Sequence, residues 1–183
     1  MSMIKRSILL FIASESIFFI LLILSVVHYQ VTHSEPSAGA QMLDAARTGI
    51  FSVLLLLSSF TVWMGIRGMR QHKKGSLIFW LLATIGLGAA FLYGQGTEWW
   101  GLIQQDVTIS RDLFGTTFFT LTGFHGFHVF IGLVMLTVAL GLTLAGAVHD
   151  KSEHAVDGIA IYWHFVDGVW IVVFSVIYLV PML

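Results

Sequence analysis

Five long apolar runs leave this chain few ways to fold. They are Ser7–Tyr29, Thr48–Ile66, Ser76–Gln95, Leu113–Val148 and Gly158–Val180, each 19 to 36 residues long. At 1.5 Å per residue, each can cross a hydrocarbon core about 30 Å thick. Lipid offers no partner to a backbone N–H or C=O, so only helices and closed barrels span it. The runs exceed the length of barrel strands and lack their alternation, so they read as helices. Composition agrees: 57% of the 183 residues are hydrophobic and 10% are charged, where a soluble domain carries about 25% charged residues. The expectation is an all-α polytopic membrane protein, a single helical-bundle domain over residues 1–183 with transmembrane helices at about 7–29, 48–66, 76–95, 113–148 and 158–180. The fourth run exceeds one crossing yet is too short for two crossings and a turn.

The first run also has to be weighed as a cleaved signal. Lys5 and Arg6 precede it, and "AGA" at 38–40 resembles a small-residue cleavage site. It spans 23 residues and contains Glu15, whereas a signal core spans about 7–15. It reads as a retained helix. Lys and Arg then set the orientation. Lys5, Arg6, Arg67, Arg70, Lys73, Lys74 and Lys151 lie on one side, against Arg47 and Arg111 on the other. The rule that positive loops stay inside places the N-terminus inside and the C-terminus outside. Net charge is −1 with no basic tract, which gives no footing for nucleic acid. The absence of cysteine removes disulfides, thiolate metal sites and iron–sulfur clusters. The longest link, Gln30–Arg47, reads as a surface loop with a short helix around Asp44–Arg47. Gly86, Ala90 and Gly94, and also Gly141 and Ala145, form small-residue stripes that predict close helix contact. Trp99 and Trp100 suit an outer interfacial belt.

Ionisable groups within hydrocarbon are costly, and each calls for a reason. Glu15, His125, His128, His164 and Asp167 all fall inside the runs. Helical rise puts Glu15, His164 and Asp167 roughly 9–13 Å from the inner boundary, so the five are expected to share one layer. A bis-His haem would need two rings on facing helices at equal depth; His128 and His164 are the candidates. Against it, His125 and His128 share a helix, and a diiron bundle would want two Glu-x-x-His motifs and further glutamates. The residues favour interhelical polar pairs that fix packing, without a metal or cofactor. Gln95 and Glu98 in "GQGTEWW" read as an outer interfacial cap, or else as a partner-docking site. His72, His149, Asp150, Glu153 and His154 lie in the inner links. They read as solvated charge or as a proton-collecting surface, since imidazoles and carboxylates exchange protons near neutral pH.

Five segments carry a resemblance that composition cannot supply. In order they are "FIASESIFF", "LLLLSSFTVWMG", "LGAAFLYGQGTEW", "FGTTFFTLTGFHGFHVFIGLVML" and "YWHFVDGVWIVVFSVIYL". Together they resemble subunit III of the haem–copper respiratory oxidases over nearly the whole chain. The usual member has seven helices, with a phospholipid-holding cleft between the first two and the last five. This sequence begins at the counterpart of the third helix and resembles the short five-helix bacterial form. By that resemblance Glu15 matches the buried glutamate of the first motif, His125 and His128 the histidines of the TGFHG motif, and His164 and Asp167 those of the WHFVD motif.

The resemblance implies a non-catalytic subunit of a terminal oxidase that reduces oxygen to water and pumps protons in aerobic electron transport. Haem and copper would sit in partner subunits and none in this chain, which would bind phospholipid. It implies a multi-pass protein of a bacterial inner membrane, beside catalytic subunit I and subunit II, supporting assembly and sustained proton uptake. Two alternatives stand beside it: an accessory subunit of a nitric oxide reductase, and a membrane cytochrome b with haem held by His128 and His164.

Overall fold

In a computed structural model, all five apolar runs are helical. The structure describes residues 3–32, 38–110, 113–146 and 150–180, and the side chains among these except at 3–5, 38 and 150–153. The helices are α1 (Met3–Thr32), the single turn α2 (Ala38–Gln41), α3 (Ala45–Arg70), α4 (Lys74–Gln104), α5 (Leu113–Leu144) and α6 (Asp150–Phe174). A π-turn over Ser175–Leu179 continues α6. No strand occurs among the described residues. Every long helix except the short α2 contains a stretch apolar and long enough to cross a membrane.

The helix ends differ from the expected ones for local reasons. Asp44 lies outside any helix: it caps α3, its carboxylate accepting from the Arg47 N–H at 2.9 Å, and the short helix falls earlier, at Ala38–Gln41. Helix α4 runs nine residues past Gln95, because Thr97, Glu98 and Trp99 bond into the bundle instead of starting a loop. Helix α5 stops at Leu144 and not at Val148. There Gly146 takes φ +71, a backbone that favours glycine and ends helices. The Lys74 ammonium closes that end by donating to the Leu144 carbonyl at 3.2 Å. Helix α6 starts at Asp150, inside the expected fourth link.

Helix α3 packs on α4, α4 on α5, α5 on α6, and α6 returns to α3. These four close a ring, and α1 lies outside it against α5 and α6. The ring is filled from α6. Trp163 and Trp170, seven residues apart on one face, are both fully buried. The Trp163 indole sits between Gly88 of α4 and Gly132 of α5: a Cβ on either glycine would come within 2.7 Å of it. Its Nε1–H donates to Ser58 of α3 at 2.8 Å. The Trp170 indole likewise donates to Ser52 of α3 at 2.8 Å and packs edge-on with Phe91 of α4. Each tryptophan thus contacts every other helix of the ring or a residue stacked on it. In lipid, apolar burial does little to drive helices together, so close packing and interhelical hydrogen bonds must do it.

The small-residue stripes need correction. Nothing lies within 4 Å of a Cβ placed on Gly86 or Gly141. The close approaches use Gly88 and Gly132, and at Gly94 the ring of Phe51. Gly88→Ala and Gly132→Ala should each lower stability by about 1–3 kcal/mol, because the indole must shift. Gly86→Ala and Gly141→Ala should be neutral or stabilising by up to about 1 kcal/mol. Thermal loss of helicity in detergent reads the difference; equal behaviour of the two pairs would contradict this packing.

Candidate functional site

The intramembrane polar residues form separate contacts and not one cluster. The first joins α1 to α5. His128 Nε2 lies 3.1 Å from Glu15 Oε2, and its Nδ1 lies 2.7 Å from the Phe124 carbonyl. A carbonyl only accepts, so Nδ1 carries a proton. One more proton must lie between Nε2 and the carboxyl. Whichever atom holds it, the pair is neutral as a unit, the form that lipid tolerates best. The Tyr162 hydroxyl of α6 donates to the His128 carbonyl at 3.1 Å, so α1, α5 and α6 meet at this histidine. Phe18 and Phe19 of α1 pack edge-on against Phe124 and His128. At the far end, Gln30 of α1 donates to the Val176 carbonyl at 2.9 Å, within the π-turn.

The second contact joins α3 to α6. Ser59 Oγ lies 2.9 Å from His164 Nδ1 and donates to Asp167 Oδ2. Asp167 is buried, while His164 faces outward. The two residues sit one turn apart on α6 and grip a single hydroxyl of α3. This arrangement corrects the bis-His reading. His128 Nε2 is engaged by Glu15 of α1 and its Nδ1 by the Phe124 carbonyl of its own helix, while His164 bonds to α3, so the two rings do not face a common cofactor. Among the described residues no group of three His, Asp or Glu side chains is placed to hold a metal ion.

His125 stands apart from both contacts. It is fully buried, and its ring nitrogens meet no hydrogen-bond partner. Aromatic rings hold it: it stacks on Trp170 with centroids 4.7 Å apart and meets Phe91 edge-on at 5.9 Å. It therefore belongs to the tryptophan packing of the ring.

Gln95 and Glu98, expected as an outer interfacial cap, bond into the bundle. Gln95 is buried and donates to the Thr122 carbonyl of α5 at 3.1 Å. Glu98 accepts from Thr48 of α3 at 2.7 Å and from Tyr178 at 2.6 Å. One carboxylate thus ties α3, α4 and the end of α6. Trp99 turns inward and donates to Thr122 at 3.2 Å, while Trp100 faces out. At the other end of the bundle, His72 and His154 are exposed, and Arg70 pairs with Asp157 at 3.3 Å. His149 and the side chains of Asp150 and Glu153 lie outside the described residues.

Sequence reasoning missed Ser52, Ser58, Ser59, Thr48 and Tyr178. A signal was present: Thr48, Ser52, Ser58 and Thr61 are hydroxyl residues along an otherwise apolar helix, and all four are buried.

The fold and its contacts define a polytopic helical-bundle membrane protein whose polar side chains are spent on helix association. Comparison with known proteins narrows the class. The family model described as cytochrome c oxidase subunit III matches residues 1–181. Cytochrome c oxidase subunit 3 of Synechocystis sp. is 33% identical over 174 residues, 94% of this chain and 73% of that protein. Its counterpart from Marchantia polymorpha is 34% identical over 181 residues, 95% of this chain and 67% of that protein. A probable cytochrome c oxidase subunit 3 of Mycobacterium leprae is 36% identical over 129 residues, 70% of this chain and 64% of that protein. The chain belongs to the cytochrome c oxidase subunit III family, and spans roughly two thirds to three quarters of these relatives' length.

The bridging hydroxyl of Ser59 gives a direct test of the α3–α6 contact. Ser59→Ala leaves buried Asp167 without its donor and should cost about 1–3 kcal/mol. Ser59→Thr keeps a hydroxyl and should recover most of it. Thermal unfolding in detergent measures both; no loss in the alanine variant would show that the contact contributes nothing.

Proposed function

We propose that this chain is the non-catalytic subunit III of a haem–copper terminal oxidase, set beside subunit I and subunit II in a bacterial inner membrane. Haem and copper lie in the partner subunits. The chain supports assembly, binds phospholipid and helps sustain proton uptake by subunit I from the inner side. The observation that carries this reading is the family match along residues 1–181. Chemistry within the chain fits a scaffold. Glu15, His128, His164 and Asp167 are all bonded within the chain, between helices. None is presented to a substrate.

The N-terminus lies inside, by the seven-to-two asymmetry of Lys and Arg. His72, His149, Asp150, Glu153 and His154 then face the inner aqueous phase as a proton-collecting surface. Such a surface matters most when protons are scarce. Replacing His149, Asp150 and His154 together should slow turnover of the assembled oxidase more at high pH than at low pH. Steady-state oxygen consumption across pH tests this, and an unchanged profile would end the proton-supply part of the proposal. A reduced-minus-oxidised spectrum of the isolated, folded chain should show no haem band. Stoichiometric haem in the chain alone would overturn the non-catalytic assignment.

A further inference from the structure

Two side-chain stripes face each other along the α3–α6 seam, near the end of α3 that carries Arg70. Helix α3 contributes Trp63, Arg67 and Arg70, and α6 contributes Asp157, Ile161 and His164. Both sets follow the i, i+4, i+7 spacing of one helix face. They line a groove of about 380 Å³. Among the described lining residues two guanidiniums meet one carboxylate, which leaves one guanidinium over. Arg70 is paired with Asp157 at 3.3 Å. Arg67 has no carboxylate partner among the described residues; its guanidinium lies 5.8 Å from the centre of the Trp63 ring. That position holds the cation at the groove mouth. Towards the middle of α3 the wall becomes apolar, with Trp63 in contact with exposed Phe60.

A cation at the water end and an aromatic wall towards the lipid interior fit one class of ligand. The geometry points to a site for an anionic phospholipid, with its phosphodiester on Arg67 and an acyl chain laid along Trp63 and Ile161. A planar guanidinium presents paired donors that match phosphate oxygens. The site is built within the five helices described here. It therefore differs from the cleft that the resemblance places between the first two and last five helices of longer members. The inference rests on the proposed lipid-binding role and on α3 ending at the inner membrane face.

Photolabelling of the purified complex in phosphatidylcholine vesicles tests it. Trace photoactivatable phosphatidylglycerol should label peptides containing Trp63 or Ile161 about fivefold more than the matching phosphatidylcholine, the preference expected of one interfacial cation. Arg67→Gln should remove the preference and Arg67→Lys should keep part of it. Ile161→Trp fills the groove without changing a charge and should remove the labelling itself. Millimolar inorganic phosphate should not compete. Equal labelling by the two lipids, an unaltered Arg67→Gln variant, or displacement by free phosphate would each overturn the site. Oxygen reduction and subunit content of the same samples read the oxidase assignment separately. Intact assembly without labelling refutes the groove alone; labelling without assembly refutes the oxidase role alone.

Discussion

The closure of the ring depends on two tryptophans of α6. Trp163 and Trp170 occupy the space that a four-helix ring must fill, and each sends its indole N–H to a serine of α3. Trp163 enters only because Gly88 and Gly132 leave room for it. A buried indole without an acceptor would be costly in lipid, and Ser52 and Ser58 supply the acceptors. Register follows from this. Once the two indoles are seated, α6 cannot slide against α3 without breaking both bonds. His125 is fixed by the same packing, stacked on Trp170.

The polar contacts act around that centre. Glu98 ties the start of α3, the end of α4 and the end of α6, Ser59 ties α3 to His164 and Asp167, and His128 ties α1 to the ring. Each joins elements far apart in sequence. Helix α1 depends on them most, because it lies outside the ring and buries little of its surface. The Glu15–His128 pair and the Gln30–Val176 bond hold its two halves. Such bonds are individually modest in membranes, so α1 is the element most open to displacement by a partner or by lipid.

The five helices were legible in the sequence because lipid demands long apolar runs and tolerates little else. The interior arrangement was far less so. In a soluble helix, apolar periodicity marks the buried face; here the lipid-facing side is just as apolar, as exposed Leu10, Ile50, Phe79 and Phe130 show. Small residues misled for the same reason: Gly86 and Gly88 look alike in sequence, yet only Gly88 meets a neighbour. Glu15, His125, His128, His164 and Asp167 stood out as expensive residues, and Glu15 and His128 meet each other, but the uncharged partners did not stand out. Ser59 and the Phe124 carbonyl carry no charge and gave no signal. Helix ends moved wherever a cap decided them, as at Asp44 and Gly146.

Intramembrane polar groups that hold helices together suit the supporting role proposed above, and the chain belongs to the cytochrome c oxidase subunit III family. The most direct measurement is mass-spectrometric identification of the proteins that co-purify with the affinity-tagged chain in mild detergent. The account predicts stoichiometric recovery of haem–copper subunit I together with subunit II, and oxygen-reducing activity in the sample. Recovery of the chain alone, or with a complex that reduces nitric oxide and not oxygen, would contradict it.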